Sequence, residues 1–143
     1  MNNINLRTLS GNNKNLQGTC VYESGYVYLD MTKNDIIKEI ISSLSNLNVN
    51  KIILFGSWAK ENQGIESDID LLVVTNDNFI FQSFAQKNET KLKYVKALHP
   101  LRKFADIDLI VHTKPMFRKF IELNSGFKKD IINTGTVIYE SNN

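Results

Sequence analysis

Asp68-Ile69-Asp70-Leu71-Leu72-Val73-Val74 is the stretch whose reading decides the fold. Two carboxylates alternate with Ile69 and Leu71, so strand geometry of period two puts Asp68 and Asp70 on one face and the apolar pair on the other. After Asp70 the run is wholly apolar, the pattern of a buried strand. Acids held this close repel each other, and setting them together in a folded sheet is unfavourable unless a cation lies between them. Hard divalent cations such as Mg²⁺ take oxygen ligands of this kind. Ala105 to Val111 repeats the pattern, with Asp106 and Asp108 alternating with Ala105, Ile107 and Leu109. If the two strands are neighbours, up to four carboxylates converge. The solvated side of an amphipathic strand is the plainer explanation, but two such pairs with no Lys or Arg interleaved favour ligation.

Upstream, Lys51-Ile52-Ile53-Leu54-Phe55 reads as another buried strand that stops at Gly56-Ser57. Glycine there permits close backbone approach, and a helix opening at Trp58-Ala59-Lys60-Glu61 would offer unpaired N–H groups to an anion. Ser57 adds a hydroxyl. No Gly-Lys-Ser or Gly-Lys-Thr follows, so this is not a P-loop. A polar loop through Asn62, Gln63 and Gly64 then leads to the acid strand.

Further out, Thr32 is expected to cap a helix, with Asp35 closing a short capping box. Ile36, Ile37, Ile40, Ile41, Leu44 and Leu47 form its apolar face. A helix is expected from about Phe79 to Leu98, limited by Pro100. Phe117, Phe120, Ile121 and Leu123 mark another, residues 128 to 132 a third, and Val137-Ile138-Tyr139 a last strand. Thr19 to Tyr22 and Tyr26 to Leu29, joined by Glu23-Ser24-Gly25, read as a hairpin. Residues 1 to about 18 show no periodicity and are expected to be loosely ordered. The order is mixed, a small sheet packed by helices, of α/β or α+β class.

At 143 residues and 42% hydrophobic, one compact domain is expected. A formal charge of +2 is too even to imply a polyanion partner. The lone cysteine, Cys20, excludes an intramolecular disulfide framework, fits a reducing compartment and reads as strand packing rather than a nucleophile. No apolar run nears the roughly 20 residues that span a bilayer, and the polar start lacks a secretory signal, so a soluble cytoplasmic protein is expected. Nucleic acid is not an expected partner, since the lysines are dispersed and no aromatic-basic motif occurs.

Phe55-Gly56-Ser57-Trp58-Ala59-Lys60, Ser67-Asp68-Ile69-Asp70-Leu71 and Asp108 in an apolar strand together resemble the polymerase-β-like nucleotidyltransferase superfamily, and within it the minimal nucleotidyltransferase (MNT) group. The likeness runs from about Ile36 to Glu140 and includes the Gly135 to Tyr139 ending. It implies a nucleotidyltransferase domain over residues 32–143, with 1–31 an N-terminal extension. Asp68, Asp70 and Asp108 are then the catalytic, metal-binding acids, while Gly56 and Ser57 hold the triphosphate. Asp106 rivals Asp108. Glu61 stands where many members have a second glycine.

The reaction so implied is Mg²⁺-dependent transfer of a nucleoside monophosphate, AMP from ATP, by two-metal chemistry, with Asp108 also able to accept the acceptor's proton. Group members include antitoxins that modify a HEPN-domain toxin, which makes a HEPN-type protein, or a second copy of the chain, the implied partner. The alternatives are a catalytically silent binding subunit and a small-molecule (antibiotic) nucleotidyltransferase. Lys60, Arg102 and Lys103 are candidate triphosphate clamps. His112 is on the alternating face of Asp108, and Phe79, Phe81, Phe84 and Tyr94 read as core.

Overall fold

Thr32 opens the first helix as its sequence requires. Its hydroxyl accepts from the Asp35 N–H at 3.2 Å, and the Asp35 carboxylate accepts from the Thr32 N–H at 3.0 Å. These reciprocal bonds satisfy N–H groups that the helix itself leaves unpaired. The Thr32 hydroxyl, which donates to the Asp35 carboxylate at 2.6 Å, and then the Thr32 N–H hold that carboxyl below its ordinary pKa. In a computed structural model, residues 31–60, 67–123 and 125–142 are described in full and residues 6–8, 19–21 and 26–29 as backbone. The polar loop around Asn62, Glu61, the turn Glu23-Ser24-Gly25 and the side chain of Cys20 lie outside the described residues.

The elements in chain order are β1 (Leu6–Thr8), β2 (Thr19–Val21), β3 (Tyr26–Leu29), α1 (Lys33–Ser45), β4 (Val49–Phe55), β5 (Ile69–Thr75), α2 (Phe84–Leu98), β6 (Ile107–His112), α3 (Lys114–Glu122), α4 (Gly126–Thr134) and β7 (Thr136–Glu140). Short 3₁₀ turns occupy Gly56–Ala59 and His99–Lys103. The expected hairpin is present as the antiparallel pair β2–β3. Within the stretch expected to be loose, β1 pairs with the other side of β3, so these strands form a three-stranded sheet in the order β1-β3-β2.

The main sheet runs β6-β5-β4-β7. β5 and β6 are parallel, whereas β4 is antiparallel to both β5 and β7. This is the mixed sheet with helices that the sequence implies. Alternation along the strands sorts it into two apolar layers. Ile52 and Leu54, Ile69, Leu71 and Val73, and Ile107, Leu109 and Val111 face α1 and α2 in the larger core. Ile36, Ile40 and Leu44 of α1 are wholly buried there, each contributing about 1.5–3 kcal/mol. The opposite face presents Ile53, Phe55, Leu72 and Val74 to Phe120 of α3 and Ile131 of α4. The C-cap of α4 is Gly135, where a Cβ would run into the Ile131 carbonyl oxygen. This second, thinner layer shares its face with Asp70 and Asp108.

Several boundaries differ from expectation. α2 begins at Phe84, not near Phe79, because the Ser83 hydroxyl accepts from the Gln86 N–H at 3.1 Å and caps it. Phe79 to Gln82 precedes it as irregular chain, with the Phe79 carbonyl accepting from the buried Thr113 hydroxyl. Of the aromatics read as core, Tyr94 is buried, but Phe84 is 76% exposed and Phe79 40%. Phe84 falls in the first turn of α2, outside the helix's buried stripe of Tyr94 and Leu98. Burial and the nearby Asp77 charge push the Tyr94 hydroxyl up to about 12. β6 starts at Ile107 because the amides of Phe104 and Ala105 both bond back to the Leu101 carbonyl, extending the preceding turn.

His112 closes β6, four residues beyond Asp108 and so roughly 13 Å along the strand. Its ring meets Phe120 edge-on at 5.4 Å, and its Nδ1 is buried with no hydrogen-bond partner among the described residues. Burial first, then Lys87, lowers its pKa. The unfolded chain thus binds this proton more readily than the folded one, so stability is present above pH 6.5 and is lost as pH falls through the lowered folded value. We expect urea midpoints to decline between about pH 7 and pH 5, and His112→Phe, which keeps a ring against Phe120, to flatten that decline. An equal slope in the variant would remove His112 as the cause.

Candidate active site

The register of the main sheet builds the site. Phe55, Asp70 and Asp108 are directly opposed across β4, β5 and β6, so they form one row on one face. Asp68 is just ahead of β5, two residues from Asp70 and exposed. The Asp70 carboxyl is pushed above its ordinary pKa by burial, then by the negative charges of Asp108 and of Asp68. These three expected acids therefore share an electrostatic neighbourhood centred on Asp70.

Asp106 is placed differently. It precedes β6 with its side chain exposed, and its carbonyl accepts from the Ile69 N–H at 2.8 Å. Its backbone positions β6 against β5, whereas Asp108 is the acid that faces Asp70 across the register.

Gly56 abuts the same carboxylate. Its φ is +67°, in the left-handed region, and a Cβ added there would fall 2.2 Å from Asp70 Oδ2. Glycine is thus required twice, once by backbone geometry and once by the closeness of the acid. The expected helix after it is instead the single 3₁₀ turn Gly56–Ala59, which ends as Lys60 becomes extended. Trp58 closes this corner. It is 1% exposed, and its indole Nε1 donates to the Ser67 carbonyl at 2.8 Å. The indole thus ties the glycine corner to the residue before Asp68. The Lys33 ammonium is 5.4 Å from the centre of that ring and donates to the Lys60 carbonyl at 3.1 Å, linking α1 to the same turn. Trp58 was legible only as a helix opener because its partner, Ser67, is known only once the chain has folded back.

The basic candidates divide. Arg102 donates to the Ile107 carbonyl at 3.3 Å and lines a small cavity with Val95, Leu98, Ile107 and Leu109, on the sheet face away from Asp70. It is not directed at the acids. The Lys103 ammonium is over the Phe104 ring at 5.2 Å. Lys60, exposed beside the glycine corner, is the better placed of the three.

The donor set suits a hard cation. Asp68, Asp70 and Asp108 offer carboxylate oxygens and no sulfur or imidazole, and a divalent ion among them would relieve the repulsion that raises Asp70. Among the described residues no three such groups are already drawn into a finished ion cage. Asp68 and Asp108 are exposed, so their carboxylates have room to turn towards Asp70.

A mixed sheet with acids on adjoining strands beside a left-handed glycine is the arrangement that the nucleotidyltransferase resemblance implies. The sequence profile described as polymerase beta, nucleotidyltransferase matches residues 37–143, and the chain belongs to this family. A relative in Methanocaldococcus jannaschii, named as a candidate protein adenylyltransferase, is 31% identical over 112 residues, covering 76% of this chain and all of that protein. Among solved structures, a toxin–antitoxin crystal structure with AMP-PNP is similar at 21% identity and TM-score 0.43, over 78% of this chain and 76% of that one. The toxin–antitoxin MntA–HepT is similar at 20% identity and TM-score 0.37, over 76% and 70%. At these scores the structural likeness bears on neither activity nor partner. No helix among the described residues is long and apolar enough to cross a membrane.

Proposed function

We propose that the chain transfers AMP from ATP to a side chain of a partner protein. The observation that carries this reading is Asp70 opposed to Asp108 across the β5–β6 register, with Asp68 two residues ahead and the left-handed Gly56 against the Asp70 carboxylate. That arrangement joins a site for hard cations to a corner where backbone can approach phosphate closely. The relative named for protein adenylylation supports adenosine as the nucleoside and a protein as acceptor.

In this reading Asp68, Asp70 and Asp108 hold Mg²⁺, and Gly56 and Ser57 receive the triphosphate. Bound Mg²⁺ would neutralise charge on the phosphates and make the acceptor hydroxyl more acidic. The acceptor oxygen forms a bond to the α-phosphorus, the bond from that phosphorus to the bridging oxygen breaks, and pyrophosphate leaves. Asp108, exposed at the sheet edge, takes the acceptor's proton. Asp68 and Asp108 both face solvent, so a side chain on a macromolecule can reach them. A HEPN-type toxin is the partner that the MNT resemblance brings forward, with this chain as the antitoxin.

The test is incubation with Mg-ATP and a HEPN-domain partner, followed by intact-mass measurement of the partner. An added AMP is expected. Asp68→Asn and Asp108→Asn should each abolish it, and Asp106→Asn should reduce it less. Nucleotide binding with no transfer to any acceptor would support the silent binding subunit instead. Rapid modification of a small-molecule acceptor would support the antibiotic-modifying reading.

A further inference from the structure

Phe127 is set apart from the other rings of its cluster. It meets Phe55 edge-on at 5.8 Å and 84°, and Phe120 at 5.9 Å and 70°. Phe55 and Phe120 are 8% and 9% exposed, yet Phe127 is 47% exposed. An exposed phenylalanine on its own needs no explanation. The position of this one does carry meaning. Phe55 is directly across the register from Asp70 and adjoins Gly56, so Phe127 stands one ring's distance from the row that holds the acids. It occupies the first turn of α4, a helix that packs against both β4 and the Gly56–Ala59 turn. Two edge contacts fix the ring while leaving almost half of the residue open to solvent. Such a ring is a ready platform for a flat aromatic ligand.

Resting on the proposed function above, we propose that Phe127 is the surface on which the nucleotide base stacks, and that it favours purine over pyrimidine triphosphates. With the triphosphate at the Gly56 corner, the base is carried beyond the phosphates by the ribose, and Phe127 is an exposed aromatic ring bordering that corner. Stacking needs no particular pattern of hydrogen-bond donors and is sequence-tolerant, because every base has a π face. The larger purine covers more of the ring than a pyrimidine does, so affinity should follow ring size rather than base edge.

The experiment is calorimetric titration of wild type, Phe127→Leu and Phe127→Trp with Mg-ATP, Mg-CTP and magnesium tripolyphosphate, which has no base. Circular dichroism melts establish that each variant is folded. Phe127→Leu should bind ATP about tenfold more weakly than wild type, while its tripolyphosphate affinity is unchanged. Phe127→Trp should bind ATP at least as tightly as wild type. The ATP preference over CTP should be present in wild type and absent in Phe127→Leu. Equal ATP affinity and an intact purine preference in Phe127→Leu would overturn the inference while leaving the proposed function standing. So would a parallel loss of ATP and tripolyphosphate affinity in that variant, since it would mark Phe127 as packing only. Wild type that binds neither ATP nor tripolyphosphate would overturn the proposed function, and this inference with it.

Discussion

Asp70→Asn is expected to melt at or above the wild-type temperature and to gain nothing from Mg²⁺ and ATP together. Most substitutions of partly buried residues destabilise, and the opposite is expected here. The reason is the environment of Asp70. Burial, Asp108 and Asp68 all raise its pKa, so the fold penalises its charged form. A raised folded pKa contributes stability that is complete below the ordinary value of 3.8 and is lost as pH rises through the raised one. Asparagine keeps the shape and removes the charge, which relieves the penalty at neutral pH. The ligand side runs in the opposite direction. A ligand present at about 100 times its Kd stabilises the folded state by about 2.7 kcal/mol. For a domain of this size that raises the midpoint by roughly 5–10 °C. Wild type should show this shift and Asp70→Asn should not. A scanning calorimetry series with and without Mg-ATP measures both effects at once. Full Mg-ATP stabilisation in the variant would show that Asp70 is not a ligand, and the acid cluster would lose its assigned role.

That arrangement was legible in the sequence to an unequal degree, and the physics says why. The alternation of Asp68-Ile69-Asp70 survives into the structure because period-two geometry is local and needs no partner to express itself. The Thr32–Asp35 capping box is local in the same way, spanning four residues. Adjacency of the two acid strands was only conditional in the sequence. Their parallel pairing requires a crossover through α2, whose path no short pattern encodes. The register that opposes Asp108 rather than Asp106 to Asp70 depends on where β6 begins. A backbone detail fixes that point, namely the return of the Phe104 and Ala105 amides to Leu101.

The features that were not legible are contacts between segments distant along the chain. Arg102 follows α2 closely and looked available to phosphate, but the turn carries it to the sheet face away from the acids. β1 is three residues long, and its partner β3 begins 18 residues after β1 ends, so it is defined by that pairing and not by its own composition. Phe127 was hidden for a similar reason. Its helix could be read from residues 128 to 132, yet the ring's place beside Phe55 follows from α4 packing on β4 and on the glycine corner. Phe79 to Gln82 shows the converse failure, in which an apolar stretch suggested helix and the Ser83 cap overrode it.

Gly56→Ala should cost little stability and nearly all of the activity. One carbon is added at a residue whose φ is +67°, where a non-glycine residue costs about 1–2 kcal/mol. By the same scaling the midpoint should fall by about 2–8 °C, and the protein stays folded. The functional cost arises elsewhere. The new Cβ would come 2.2 Å from Asp70 Oδ2, closer than non-bonded atoms approach. The Asp70 carboxylate is the end of a movable side chain and β5 is not, so the carboxylate turns away and the clash is relieved at its expense. The acid at the centre of the cluster then leaves the position that Asp108 and Asp68 share with it. Displacements of about 1 Å at a reacting centre can cost about a hundredfold in rate, so transfer should fall by at least that factor. Ser57→Ala provides the scale, since one lost hydrogen bond of about 0.5–1.5 kcal/mol corresponds to roughly a two- to twelvefold loss. A double-mutant cycle separates this mechanism from general damage to the corner. If Gly56→Ala acts by displacing Asp70, combining it with Asp70→Asn should reduce transfer no further than the more damaging of the two changes does alone. Additive losses would place the effect of Gly56 in the phosphate-binding backbone. Wild-type transfer rates in a folded Gly56→Ala protein would remove the glycine from the site altogether.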